Sequence, residues 1–363
     1  MVLNALDECY PDLHPGSFLS GEGTEMTITE SGLYLLAVEV TSHCNLQCPH
    51  CYGAFNFRGH PMSPEWPERI GQQAFAMGVR TVTITGGEPL TLGDDLQHYI
   101  EPFTRRGLRT FLTTNGIGIG STIGRDHIKG LAGVQISLDG GQVTHDRMRG
   151  RGRFEEAVDA LRTVRDWGFD TAAMMTLHAA NVDDVGEVIE ICQKVGASLS
   201  LERYSSPGRT DTTRPASQED LAAVYRLALE HGLHSFDPCY TAFGYWLRGA
   251  LPNGNRLIQG GCSAGVAALA VAANLDVYTC VRLRLPIGNL AESDLLTLWQ
   301  DGPLLRSLRD RTKLEGACGA CGLRSVCGGC RAHAYHTAGS VTAADPDCPV
   351  PTNLPFPTMR TPA

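Results

Sequence analysis

Three cysteines crowd into one short stretch, "HCNLQCPHCY" at residues 43 to 52. Cys44, Cys48 and Cys51 could turn three thiolates toward one centre, and thiolate donors favour zinc or iron-sulfur. A structural zinc is normally closed by a fourth protein ligand, for which only His43 and His50 stand nearby. A second concentration lies far along the chain. "CGACGLRSVCGGC" sets Cys318, Cys321, Cys327 and Cys330 in two CxxC pairs, with Cys348 beyond and Cys262 and Cys280 before. Without context such pairs suggest a zinc ribbon. Cys9, Cys192 and Cys239 stand apart. Cys192 shares a helical face with Val185, Val188 and Ile189, the setting of a buried core thiol.

The 363 residues, 42% hydrophobic, suffice for one large domain and a smaller one. A formal charge of -9 argues against general nucleic-acid binding, which needs a basic footprint. No secretory signal opens the sequence and no apolar run approaches a membrane span, so the expected location is cytoplasmic. Thiols stay reduced there, and clustered cysteines then indicate metal rather than disulfides.

The elements that must position these groups alternate. Strand candidates at 35–41, 81–85, 109–114, 134–138, 171–176 and 198–203 are each followed by a helical pattern, near 64–77, 94–106, 121–131, 154–167, 183–195 and 217–230. Six βα units in series imply an α/β fold with a parallel sheet, doubly wound or curled into a partial barrel. Ligands then bind at the C-terminal strand ends. There the loops supply the three cysteines, then "GGEP" (86–89), "NG" (115–116), "DGG" (139–141), His178, and Arg203 with Tyr204. Residues 231–260 read as a linker, 261–349 as a small cysteine-rich domain, 350–363 as a proline-rich tail, and 1–34 as an N-terminal extension.

"CNLQCPHCY", followed at the next strand end by "GGEPL", resembles the C-x3-C-x2-C-aromatic signature of radical SAM enzymes. The resemblance implies a partial (β/α)6 barrel. It also implies a 4Fe-4S cluster on Cys44, Cys48 and Cys51, whose fourth iron is left for S-adenosylmethionine. By the same resemblance Gly86, Gly87 and Glu88 receive the methionine amino group. Tyr52 lies beside the adenine, and Asn115, Ser137 and Asp139 meet ribose or substrate. Glycines would let backbone approach the ligand, and a carboxylate can pair with an ammonium.

The later segment, from "GGCSAG" through "DVYTC", "CGGCRAHAY" and "DPDC", resembles the SPASM extension with two auxiliary 4Fe-4S clusters. The family pattern assigns Cys262, Cys280 and Cys330 to the first and Cys318, Cys321, Cys327 and Cys348 to the second. The first is one protein ligand short; Cys239, a buried thiol, or an iron open to substrate are the alternatives. Two departures stand out. The last CxxC has two intervening residues where three are usual, and Leu275 replaces the glycine expected five positions before Cys280.

Auxiliary clusters beside a radical source imply net oxidation at an unactivated carbon. Candidate bases or proton donors are Asp139, His178 and Tyr204, and Arg203 is the candidate for a carboxylate or phosphate contact. "HDRMRGRGR" (145–153) reads as a solvated basic loop. Expected partners are a peptide or small-molecule substrate and an external electron donor such as flavodoxin or ferredoxin, with no nucleic acid and no membrane. Only 43 residues precede Cys44, too few for a fused leader-binding domain, so a separate recognition protein could supply that role. Maturation of a ribosomally made peptide leads, followed by dehydrogenation of a sugar or aminocyclitol alcohol, and last by a zinc-stabilised binding module.

Overall fold

The computed structural model describes residues 32–53, 55–205, 208–209, 212–233, 237–248, 261–300, 302–325 and 327–350. Cys9, most of the expected N-terminal extension and nearly all of the tail lie outside them.

Six parallel strands form the expected series: β1 (Leu35–Thr41), β2 (Thr81–Gly86), β3 (Arg109–Thr114), β4 (Gly133–Ser137), β5 (Asp170–Leu177) and β6 (Ser198–Arg203). Their spatial order is 6-5-4-3-2-1. Alternation decides which face is which. Val82 and Ile84 are fully buried against helices, while Thr81, Thr83 and Thr85 between them turn to the other, concave face. Helices α1 (Trp66–Ala76) and α2 (Leu96–Thr104) follow the first two strands. Helix α1 buries Ile70 and Ala74, spaced one turn apart, as an amphipathic helix on a sheet must.

Two expectations fail locally. The helix expected near 121–131 is a single 3-10 turn at Arg125–Ile128. Gly116, Gly118 and Gly120 all take positive φ just before it, which no helix accommodates. Conversely, part of the supposed basic loop is helix α3 (Gln142–Arg149), which Gly150 ends at φ 115. Helices α4 (Arg153–Asp166), α5 (Val185–Val195) and α6 (Gln218–Glu230) then appear as expected. Ser217 and Asp220 form a capping box at the start of α6.

The expected linker is partly ordered core. Residues 238–248 form helix α7 (Pro238–Arg248), in which Cys239, Tyr240 and Phe243 are buried. The rings of Tyr240 and Phe243 meet Tyr225 of α6 at 5.3 and 5.9 Å.

Three short strands follow: β7 (Ala268–Val271), β8 (Asp276–Tyr278) and β9 (Pro286–Asn289). They extend the same sheet, β7 pairing parallel with β1 and the others antiparallel beyond it. The cysteine-rich region therefore has no separate principal core: Val38 of β1, Val271 of β7 and Trp299 belong to one buried cluster. Helices α8 (Leu295–Gln300), α9 (Pro303–Arg309), α10 (Gly316–Ala320) and α11 (Arg331–Ala338) complete it. Leu275, where a glycine was expected, sits in the β7–β8 turn at φ 73, the one non-glycine with positive φ among the described residues. No helix among the described residues is long and apolar enough to cross a membrane.

The β8–β9 connection also measures how far the arc curls. Arg282 ion-pairs with Glu202 on β6 and Arg284 with Glu39 on β1. One three-residue stretch, 282–284, thus touches both ends of the six-stranded arc.

Candidate active site

The cysteine loop leaves β1 at Thr41 and is stapled to residues 55–61. Ser42 and Cys44 donate backbone N–H groups to the carbonyls of His60 (2.9 Å) and Asn56 (3.0 Å), and Cys51 N–H turns back to Cys48 (3.2 Å). The three thiols are near enough to act on one another's charge. Burial pushes the Cys44 thiol up to about 12 against the Leu46 N–H aimed at its sulfur, and Glu88, Cys48 and Cys51 add to the rise. Burial raises the Cys48 thiol as well, and a bound metal ion would hold such thiols deprotonated.

The "GGEP" loop packs on this one so closely that only glycine fits. Gly87 N–H donates to the Thr41 carbonyl (2.7 Å) and Glu88 N–H to that of His43 (2.8 Å). A Cβ on Gly87 would stand 2.0 Å from the His43 carbonyl oxygen, and one on Gly86 2.3 Å from that of Thr41. The glycines thus admit neighbouring backbone, where the sequence reading had them admit a ligand. Glu88 is likewise tied within the protein. Its carboxylate accepts the Thr114 hydroxyl (2.6 Å) and the N–H groups of Leu90 (3.0 Å) and Asn115 (2.7 Å). It braces the ends of β2 and β3. Asn115 in turn donates its side-chain amide to Asn45 (2.8 Å), a loop residue that the sequence reading overlooked.

Tyr52 directs its hydroxyl to Glu39 and Thr85, and its ring stands edge-on to Phe55 at 5.6 Å. Ser137, 5% exposed, closes β4. Beyond it Asp139 is fully buried, with Oδ2 at 2.6 Å from Arg149 Nε and 3.3 Å from His50 Nε2. Although burial raises it, Arg149, His50 and His145 hold the Asp139 carboxyl well below the usual carboxylate range. A carboxylate so paired is a poor proton acceptor, against the expectation for Asp139. Arg149, grouped by sequence with a solvated loop, is 10% exposed, and its charge reaches Cys48.

His50 falls inside the cysteine loop, and burial lowers it to about 4, leaving it neutral. His178 lies against it, ring centroids 6.2 Å apart. His178 Nδ1 accepts the Ala180 N–H (3.2 Å), so Nε2 carries the hydrogen. That Nε2, and Nδ1 of His50, are buried with no partner among the described residues. Tyr204 is 6% exposed. Arg209 N–H binds the Pro49 carbonyl (2.8 Å), and a Cβ on Gly208 would stand 2.9 Å from the Tyr204 hydroxyl, which places Tyr204 beside the cysteine loop.

Arg203 departs from expectation. Its guanidinium donates to Asp237 (2.8 Å) and, through two nitrogens, to Asp345 (3.0 and 2.6 Å), all three side chains being buried. The carboxylate contacts foreseen for a ligand are filled by the protein itself.

The later cysteines gather as two groups. Cys318, Cys321, Cys327 and Cys348 act on one another's charge, as do Cys262 and Cys330, with Arg282 close to both Cys330 and Cys280. Cys239 hydrogen-bonds with Cys348 of the four-thiol group and with Asp345, whose carboxylate also accepts the Cys330 N–H. Among the described residues no group of three or more His, Cys, Asp or Glu side chains closes on a single ion. Thiol donors collected in separate groups are of the chemistry that holds iron-sulfur clusters.

Comparison with known proteins agrees with this geometry. Residues 38–192 match the model of the radical SAM superfamily, and residues 262–322 that of the SPASM iron-sulfur cluster-binding domain. The chain is 27% identical to an AdoMet-dependent heme synthase of Methanosarcina barkeri, over 86% of this chain and 95% of the relative. It is 29% identical to the mycofactocin maturase MftC of Mycolicibacterium smegmatis, over 86% and 82%. Streptococcus suis SuiB, bound to its precursor peptide SuiA, shares the fold with a TM-score of 0.72 at 21% identity, over 87% and 76%. These domains imply iron-sulfur clusters and bound S-adenosylmethionine. The chain belongs to the radical SAM superfamily of enzymes and carries a C-terminal SPASM domain.

Proposed function

We propose that this enzyme is an oxidoreductase that modifies an unactivated C–H position, with a ribosomally made precursor peptide as its substrate. The observation that supports the reading is that the first cysteine loop leaves β1 while the later cysteines are tied to the same sheet, through Arg282 with Glu202 of β6 and Arg203 with Asp345. When bound, the first cluster supplies the electron that cleaves S-adenosylmethionine to a 5′-deoxyadenosyl radical, and two auxiliary clusters accept the electron that the substrate loses.

The chain's own residues do the rest. Cys44, Cys48 and Cys51 would hold the first cluster. Tyr52, Gly86, Gly87, Asn115 and Ser137 shape the S-adenosylmethionine site from strand ends one to four, and Glu88 fixes the "GGEP" loop by its three hydrogen bonds. Asp139 holds Arg149 beside the cysteine loop. His178 offers a free Nε2–H next to it, and Tyr204 a hydroxyl; these two are the groups placed to hold or move the substrate proton. The two auxiliary sets are Cys262, Cys280 and Cys330, and Cys318, Cys321, Cys327 and Cys348. An external donor such as flavodoxin or ferredoxin supplies the priming electron, a separate protein recognises the leader, and the reaction is cytoplasmic.

Likeness to a mycofactocin maturase and the fold shared with peptide-bound SuiB support the peptide substrate. A small-molecule substrate is the second reading, favoured by the match to 95% of a heme synthase. Anaerobic purification followed by iron analysis tests the class: about twelve irons per chain are expected for three cubanes. Dithionite-reduced protein should form 5′-deoxyadenosine, and Cys48→Ala should abolish it. Stoichiometric zinc without iron would sink the reading.

A further inference from the structure

We propose that Asp345 and Arg203 are positioning residues that set the reduction potentials of both auxiliary clusters together. The inference rests on the three-cluster reading above.

One residue touches both thiol groups. Asp345 Oδ2 accepts the Cys330 N–H at 2.7 Å, a ligand of the first set. The Asp345 N–H donates to Cys318 Sγ at 3.4 Å, a ligand of the second. The same Oδ2 accepts the Cys239 thiol at 3.1 Å, and Cys239 hydrogen-bonds with Cys348 of the second set. Arg203 from the end of β6 grips both Asp345 oxygens and reaches Cys239 Sγ at 3.6 Å. Its remaining edge meets Asp237, which also caps the Cys239 N–H at 2.7 Å. Arg203 and both aspartates are at most 3% exposed.

This triad carries one positive and two negative charges in a buried position between the thiol groups. Reduction adds one electron to a cluster, so a nearby fixed negative charge lowers its potential and a positive one raises it, with little screening at such depth. Removing one member must shift both auxiliary clusters in the same direction. Cation and anion must act oppositely. A purely structural strut would instead lose cluster binding from either side.

The test is a redox titration followed by electron paramagnetic resonance, on the full chain purified anaerobically, with iron counted first. Asp345→Asn should keep the wild-type iron content and move both auxiliary midpoints positive. Arg203→Gln should move both negative, and Arg203→Lys should restore values near wild type. The radical SAM cluster should not shift in any of them. Unchanged midpoints, a shift confined to one auxiliary cluster, the same direction from both variants, or loss of auxiliary iron in Asp345→Asn would each overturn the proposal. A wild-type chain holding only four irons would overturn the three-cluster reading instead.

Discussion

Arg284, from the connection between β8 and β9, ion-pairs with Glu39 in the middle of β1, its guanidinium 4.3 Å from the Tyr278 ring centroid. Glu39 is 1% exposed, and burial raises its carboxyl above the ordinary value despite Arg284. Breaking a buried pair leaves an uncompensated charge, costing about 3–5 kcal/mol; partial exposure of Arg284 brings the expected cost of Arg284→Ala nearer about 2 kcal/mol. A raised carboxyl withholds stability only where it is ionised in the unfolded chain, above about pH 4. The deficit should therefore narrow on acidification, as Glu39 takes up a proton, and Glu39→Gln should recover most of it. Thermal melts at two pH values check this; a deficit indifferent to both pH and rescue contradicts it.

Gly87→Ala should empty the first cluster site. The added Cβ meets the carbonyl of His43, backbone of the cysteine loop itself, and that loop must move. Overpacking of this kind costs about 1–3 kcal/mol and displaces the thiols. Iron should fall by about four per chain while the auxiliary signals persist, because the nearest atoms the added Cβ meets belong to Ser42 and His43 and not to residues 262–348. Full iron content would contradict the assignment of Gly87 to loop packing.

Replacing His178 and Asp139 should have different consequences. His178→Ala removes a buried Nε2–H that has no partner among the described residues and should lower product formation about 100-fold while 5′-deoxyadenosine release continues. Asp139→Asn strands Arg149, which is 10% exposed, and should show first as a stability loss of about 3 kcal/mol. Single-turnover product analysis beside thermal melts separates the two. Equal loss of stability in both variants would remove His178 from the chemistry.

Leu275 offers a test of backbone strain. At φ 73 a side chain is disfavoured, and glycine alone adopts that conformation without cost. Leu275→Ala loses packing and keeps the strain, whereas Leu275→Gly loses packing and relieves it. The glycine variant should be the more stable of the two by about 1 kcal/mol, the reverse of their order in a helix. Denaturant unfolding of the two proteins decides it.

The strand series was legible because β-branched runs and helical patterns have their own periods, and five of six helices fell within a few residues of expectation. The site was legible where chemistry lies in consecutive residues, as in Cys44 to Tyr52 and Gly86 to Pro89. It was not legible where a partner comes from far along the chain. Nothing near Arg203 announces Asp237 or Asp345, so an arginine at a strand end read as a ligand contact. Arg149 read as solvated because helix α3 is short and mostly polar, and only the fold turns it onto Asp139. Strands β7 to β9, three or four residues each, are too short to show a period.

Strand β1 pairs on both sides, with β2 and with β7. Its second partner begins at residue 268, far behind it in the order of synthesis. At about 5–20 residues per second, β1 waits tens of seconds with one edge unpaired, and an unpaired edge invites pairing with other chains. Until β7 arrives the nascent barrel lacks the strand beside its cysteine loop. Expression yield should therefore depend on translation speed and on chaperones during that interval, and truncation before residue 268 should give insoluble protein.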